Sequence, residues 1–367
     1  MRRVLSTLLA VACMATLTAG PVQAAETGFD CLLAQTAKPP VPGAILQVRG
    51  PRGDYTGAAG QFALNGRDLR PTDAFRTASV SKTFTAVAVL KLAERGKLRL
   101  DQRVQQYLDP KLVRRLTRSY SPKITIRQLL DHTAGLYDYA TDPDWQAAVG
   151  SHPRRTWTAG QLVGWALDHG KPYFPAGKGY HYSDTGYVLA AKVIEKVAGQ
   201  RLAQAYRTLI LDPLKLEHTY LEGKDRPRVA KPVAHAYRGT VDTRGWNPSF
   251  DTHGGGGLVT TAGDLTAFVR ALFEGKVFTK PGTLRTMLTP TPQSGEEAYG
   301  LGIQRLGSGK TALWYHPGFW GTIMGYSPGT KVSLVTTVNQ ADDQGLLSAL
   351  VQKAYTLAVT GTDSCRR

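Results

Sequence analysis

The chain has 367 residues, 42% hydrophobic, 20% charged and 9% aromatic, which supports a large core and excludes a collagen, a coiled-coil rod or a disordered tail. Lys plus Arg number 45 against 28 Asp plus Glu, a net charge of +17 that taken alone would suit a nucleic-acid binder. The start of the chain points elsewhere. Arg2 and Arg3 precede an uncharged stretch from Val4 to Leu17, and Val22-Gln23-Ala24 fits the small-x-small rule of a secretory cleavage site. Residues 1–24 therefore read as a removed leader, and residues 25–367 as a secreted chain of net charge +15. Outside the cytoplasm the polyanions at hand are wall polymers and anionic lipid headgroups. The charge thus reads as electrostatic association with the cell envelope, or as plain solubility, and no nucleic-acid partner is expected. Basic clusters such as Lys111, Arg114, Arg115 and Arg118 lack the interleaved aromatics of a single-strand binder. Cys13 falls inside the leader, leaving Cys31 and Cys365. In an exported chain such a pair is ordinarily a disulfide, whereas in the cytosol it would suggest a metal or redox role.

In chain order, a short helix is expected over Gly28 to Lys38, then strands over Ala44 to Arg49 and near Tyr55 to Leu64. A long helix starts near Val80, with Phe84, Val87, Leu90 and Ala93 to Glu94 at three- and four-residue steps before Gly96. Helices and loops dominate from there to about Ser249. Strands return at Leu313 to His316, Thr322 to Tyr326 and Lys331 to Val338, followed by a helix from Leu346 to Val359. Strands at both ends with helices between them predict an α/β lobe assembled from both termini, carrying an inserted helical lobe.

The sequence contains no Gly-x-Ser-x-Gly elbow, no His-Glu-x-x-His helix and no phosphate-binding or dinucleotide glycine loop, and its eight histidines lack metal-ligand spacing. What stands out is Ser79-Val80-Ser81-Lys82 at the mouth of the longest predicted helix. Residues three apart share a helix face, so Lys82 can lie beside the Ser79 hydroxyl and take its proton. The helix N-terminus adds backbone N–H groups where an oxyanion would form. Alone the tetrapeptide says little, since Ser is a common cap and Lys a common surface residue.

The rest of the chain supplies company for it. Pro71 to Ala78 leads into Ser79–Lys82. Leu129-Leu130-Asp131-His132-Thr133-Ala134-Gly135-Leu136 follows, then Phe174-Pro175-Ala176-Gly177 with Tyr180 to Tyr187. Asp212-Pro213-Leu214, the glycine run 254–257 and His316-Pro317-Gly318 complete the series. In this order they resemble the penicillin-recognising serine hydrolases: class C β-lactamases, D-alanyl-D-alanine carboxypeptidases and esterases on the same scaffold. The resemblance implies a β-lactamase-like two-lobed α/β fold, with an antiparallel sheet flanked by helices. The α/β lobe would take about residues 25–85 and 255–367, and the helical lobe about 86–254. It also implies Ser79 as nucleophile, Lys82 as its partner and Tyr182 as proton relay. His316-Pro317-Gly318 would lie on the strand lining the cleft, and the backbone N–H groups of Ser79 and Phe319 would form the oxyanion hole. No metal or organic cofactor is implied. First and last helices of this scaffold pack together, which implies a Cys31–Cys365 disulfide.

Two positions depart from the family pattern. Asp184 stands where the family usually has Asn, which replaces a donor–acceptor amide by an acceptor-only carboxylate; beside Lys82 it would favour the ammonium form. Pro317 replaces a threonine whose hydroxyl helps bind a substrate carboxylate. Arg305 and His316 are the candidates to replace that contact, although a solvated arginine is the plainer account of Arg305. Phe319 and Trp320 suit an apolar acyl group or simple packing. His132 is expected to be a buried hydrogen-bonding residue, and His253 is left unassigned. The expected function is that of a secreted serine hydrolase with D-alanyl-D-alanine carboxypeptidase-type activity on peptidoglycan peptides, and penicillin binding. The alternatives are an esterase acting on small esters, or a catalytically weak protein that binds wall peptides or β-lactams.

Overall fold

The computed structural model describes residues 22–362 and 365. The expected leader, residues 1–24, lies outside them apart from 22–24 in the first turn of helix α1 (Val22–Thr36). The chain then forms a hairpin, β1 (Gly43–Gly50) and β2 (Gly53–Gly60). Its two-residue loop ends at Gly53, whose φ of 125° a side chain would strain. After β3 (Phe75–Arg76) comes α2 (Ser81–Glu94). The helical region follows: α3 (Pro110–Thr117), α4 (Ile126–Leu130), α5 (Pro143–Ser151), α6 (Ala159–His169), α7 (Asp184–Ala198) and α8 (Leu202–Tyr206). Thr125 with Gln128 and Thr158 with Gln161 form capping boxes that start α4 and α6.

Four short strands then interrupt the helices: β4 (Tyr220–Leu221), β5 (Tyr237–Arg238), β6 (Val241–Asp242) and β7 (Leu258–Thr260). The first three fall where only helices and loops are expected. β7 pairs with β3 on one side and β4 on the other, which ties the approach to α2 to the end of the helical region. The chain closes with α9 (Ala262–Phe273), α10 (Pro281–Met287), β8 (Gln304–Leu306), β9 (Leu313–Gly318), β10 (Thr322–Ser327), β11 (Val332–Thr337) and α11 (Gln344–Thr360).

One antiparallel sheet unites the two ends, in the order β2-β1-β11-β10-β9-β8. Strand side chains alternate between its faces. Ala44, Leu46 and Val48 pack with Leu32, Leu33, Leu350 and Ala354 of α1 and α11, while Ile45, Met324 and Val335 join the larger core on the opposite face, which includes α2 and α9. Each such burial contributes about 1.5–3 kcal/mol for a Leu-sized side chain. The α1–α11 pairing brings Cys31 and Cys365 together in a disulfide, with Cα atoms 6.1 Å apart. No helix among the described residues is long and apolar enough to cross a membrane.

The periodicity of α2 predicts one apolar face, but the helix is buried nearly all round. Its polar residues are sealed by hydrogen bonds: Thr83 donates to the Gly302 carbonyl at 2.7 Å and Thr85 to the Gly254 carbonyl at 2.6 Å.

Candidate active site

Ser79 occupies a single tight turn, Ala78–Val80, that runs directly into α2. Ala78 has a φ of 44°, a conformation that costs a residue with a side chain about 1–3 kcal/mol. Surrounding contacts fix it. The Thr77 N–H and hydroxyl both donate to the Leu258 carbonyl, at 2.9 and 3.0 Å. On the other side, a Cβ at Gly318 would lie 2.1 Å from the Thr77 carbonyl oxygen. Gly318, expected to bind substrate, therefore also lets the end of β9 press against the nucleophile turn.

Lys82 is fully buried, with its Nζ 3.0 Å from Ser79 Oγ, 2.6 Å from Asp184 Oδ1 and 2.8 Å from the Gly255 carbonyl. Two of these partners accept only; Ser79 Oγ can donate or accept. A neutral amine in this position would donate to Asp184 and Gly255 and take the Ser79 proton on its lone pair. Gly255 is required for that approach, since a Cβ there would sit 2.2 Å from Asp184 Oδ1.

Tyr182 completes the group: its phenol lies beside the Ser79 hydroxyl in the same cavity, and its ring centroid is 4.9 Å from Lys82 Nζ. Burial, reinforced by the Asp184 carboxylate, holds the phenol well above its ordinary range, so it rests protonated. The His132 ring packs 4.2 Å from the Tyr182 ring, centroid to centroid, and its Nδ1 accepts the Ser183 N–H at 3.0 Å. Burial, followed by the nearby Lys82, pushes His132 well below the usual histidine value and keeps it neutral. This is the buried hydrogen-bonding role expected from its sequence context.

Ser79, Tyr182 and Asp184 line a cavity of about 380 Å³. Tyr139, Trp145, Trp246, Phe250, Phe319 and Trp320 form its aromatic wall. Phe319, expected to contribute an oxyanion-hole N–H, thus borders the same space as Ser79. Two further carboxylates reach the cavity that sequence reasoning missed. Asp138 accepts the Asp184 N–H at 2.9 Å, and Asp251 accepts the Gly257 N–H at 3.1 Å. Burial, and after it the Asp184 charge, pushes Asp138 up to about 7 and Asp251 to about 6. The available signal was slight: Asp138 lies two residues beyond the Leu129–Leu136 motif, and Asp251 shortly before the glycine run.

Other expected residues stand elsewhere. His316 is fully buried behind the cavity, shares a 2.9 Å hydrogen bond with the Tyr299 hydroxyl, and is lowered to about 3 by burial and then by Lys82. A neutral, enclosed imidazole is not placed to meet a substrate carboxylate. Arg305 lies on edge strand β8 with its guanidinium 5.7 Å from the Trp314 ring, outside the cavity lining. The arginine that does line the cavity is Arg238, which donates to Gln146 Oε1 at 3.1 Å. His253 borders a separate cavity and pairs with the Trp157 carbonyl at 3.0 Å. Among the described residues, Asp142, Asp144 and His169 group three possible metal ligands. Asp142 already caps α5 and accepts from the Tyr137 hydroxyl, and none of the three lines the Ser79 cavity.

Comparison with known proteins fits this geometry. The family described as Beta-lactamase matches residues 36–355. Penicillin-binding protein 4* of Bacillus subtilis is 33% identical over 159 residues, covering 42% of this chain and 32% of that protein. Esterase EstB of Burkholderia gladioli is 35% identical over 175 residues, 46% of this chain and 43% of the esterase. The chain thus spans less than half the length of these curated relatives. A D-stereospecific amidohydrolase from Streptomyces sp. superimposes with a TM-score of 0.77 at 31% identity, over 92% of this chain and 99% of the other. The chain belongs to the beta-lactamase family, and with it to the penicillin-recognising serine hydrolases that its ordered motifs resemble.

Proposed function

We propose that this chain hydrolyses small amides and esters with apolar acyl groups through an acyl-enzyme on Ser79. The observation that carries the reading is the contact of Ser79 Oγ with Lys82 Nζ, at 3.0 Å, beside the Tyr182 phenol at the foot of an aromatic cavity. Ser79 Oγ attacks the carbonyl carbon as its proton passes to Lys82, and the Ser79 and Phe319 N–H groups hold the oxyanion. Tyr182 then passes a proton to the departing amine or alkoxide, and water releases the acyl group by the reverse sequence. Lys82 is held beside Ser79 by Asp184 and the Gly255 carbonyl, which supports this role. The esterase and the amidohydrolase named above support this substrate range by similarity.

A second reading, cleavage of D-alanyl-D-alanine termini of wall peptides, rests on Arg238, whose bidentate guanidinium could hold a terminal carboxylate. We also place the protein outside the cytoplasm, in electrostatic association with the anionic envelope. The leader-like start, the net charge and the Cys31–Cys365 disulfide support this. The test is to offer a p-nitrophenyl ester, an aminoacyl anilide, a D-alanyl-D-alanine peptide and benzylpenicillin side by side. Turnover of the ester and anilide with little peptide cleavage is expected. Fast peptide cleavage would favour the second reading, and a penicillin adduct without turnover of any substrate would mark a binding protein.

A further inference from the structure

Within two residues the chain passes from the wall of the Ser79 cavity into that of a second cavity of about 400 Å³: Asp251 lines the first, Thr252 and His253 the second. The charges lining the second cavity do not balance. Lys192, Arg201 and Lys224 border it against one carboxylate, Glu195, which is already engaged. Its Oε2 pairs with Lys192 at 2.7 Å and its Oε1 accepts the Leu202 N–H at 3.1 Å. Arg201 and Lys224 are left without an ion pair among the described residues. Thr252 adds a donor: it is 2% exposed, and its hydroxyl has no hydrogen-bond partner among the described residues. The Thr252 methyl group faces Gly257, where a Cβ would lie 2.6 Å from it, so the hydroxyl is turned to the other side of the side chain. A buried hydroxyl left unpaired is destabilising, and an anionic oxygen is the acceptor that the flanking cations would bring to it. His253 Nε2 donates to the Trp157 carbonyl at 3.0 Å, and burial, with Lys224 and Lys192 adding to it, holds the imidazole below its usual proton affinity.

We propose that this second cavity binds a small organic anion, its oxyanion head held by Arg201, Lys224 and the Thr252 hydroxyl and its apolar body against Trp157, Val188 and Leu221, and that binding there acts on Ser79. The link is the segment 251–255. Asp251 reaches the Ser79 cavity, the Gly254 carbonyl accepts the Thr85 hydroxyl at 2.6 Å, and the Gly255 carbonyl accepts from Lys82 Nζ at 2.8 Å. A ligand that fixes Thr252 and His253 therefore fixes the backbone that holds Lys82, and occupancy of one cavity changes the free energy of events in the other. The anion site stands on its own residues, and its effect on catalysis rests on the hydrolase reading above.

The test is a calorimetric titration of the full chain with phenyl phosphate, inorganic phosphate and benzyl alcohol. Phenyl phosphate is expected to bind at least about tenfold more tightly than either of the others, since one lacks the apolar body and the other the charge. Arg201 and Lys224 are exposed, so the double variant Arg201→Ala, Lys224→Ala should fold, and in it the advantage of phenyl phosphate over benzyl alcohol should shrink to within about threefold. Arg238→Ala, at the Ser79 cavity, should leave the affinity for phenyl phosphate unchanged. Thr252→Val, which keeps the shape and removes the hydroxyl, should weaken phenyl phosphate by about threefold or more without lowering the midpoint of denaturation. Saturating phenyl phosphate should change kcat/KM for p-nitrophenyl acetate at least about threefold in the wild-type protein and leave it unchanged in the double variant. Equal binding of benzyl alcohol, or an affinity that falls in Arg238→Ala and survives in the double variant, would overturn the anion site. An unchanged kcat/KM with the cavity occupied would overturn the coupling. Absence of both turnover and a Ser79 adduct would remove the hydrolase reading and the coupling with it, while the titration would still decide the anion site.

Discussion

Asp184 sets the charge around the nucleophile. Its Oδ1 lies 2.6 Å from Lys82 Nζ, an ion pair beside the reacting hydroxyl. Asp184→Asn keeps an acceptor oxygen there and removes the charge, so the variant is expected to fold and to change kcat/KM by about tenfold or more. Wild-type kcat/KM in that variant would show that the Asp184 charge takes no part in the reaction. His316 gives a stability test. Its folded value of about 3 lies below the unfolded histidine value of roughly 6.5, so the unfolded chain binds the extra proton between them. Its contribution is fully present above about pH 6.5 and declines by about 1.4 kcal/mol per pH unit on acidification toward 3. Denaturant titrations across that range should show a shallower acid loss in His316→Gln; identical slopes would mean that the imidazole titrates normally. Ser79, Lys82 and Tyr182 were legible in the sequence because each belongs to a short motif. Asp251 and Arg238 were not, since the contacts that gather them link segments far apart in the chain, as Lys82 is joined to Gly255 across 173 residues.

One side of the site is made by the close approach of α2 with its preceding turn to the end of β9, while Asp184 at the start of α7 and Gly255 close on Lys82 from elsewhere. Gly318 permits that approach, and Gly318→Ala would drive a Cβ into the Thr77 carbonyl oxygen. The expected result is a loss of about 1–3 kcal/mol of stability together with most of the activity, as β9 and Phe319 are pushed from Ser79. Wild-type kcat/KM and midpoint of denaturation in this variant would contradict the contact. Hydrophobic spacing predicts α2, α11 and the principal strands, since runs of that length carry a clear period. The two-residue strands β3 and β4 are too short to show alternation, and their pairing with β7 follows from tertiary contacts alone. Full burial of α2 was likewise hidden, because Thr83 and Thr85 read as a polar face until their carbonyl partners are known.

For the whole molecule, both chain ends contribute to one sheet, and α1 and α11 cover the same face of it. That architecture was legible from strand-like runs at either end, and the resemblance extended it to the disulfide. Cys31 and Cys365 are separated by 334 residues, so the cross-link restricts the unfolded chain by an amount on the order of 5 kcal/mol in the chain-entropy picture, an upper value. Replacing both cysteines by serine should lower Tm by up to about 10 °C without loss of kcat. No change in Tm, or two free thiols in non-reducing peptide maps of exported protein, would contradict a stabilising bridge. The proposed function makes Ser79 the residue that is acylated in this cavity, and a single measurement addresses it most directly: fluorophosphonate treatment of the wild-type protein and of Ser79→Ala, followed by intact mass and peptide mapping. One adduct on the peptide containing Ser79, absent from a variant with an unchanged circular dichroism spectrum, is the expected result. An adduct on another serine, or equal labelling of the variant, would contradict it.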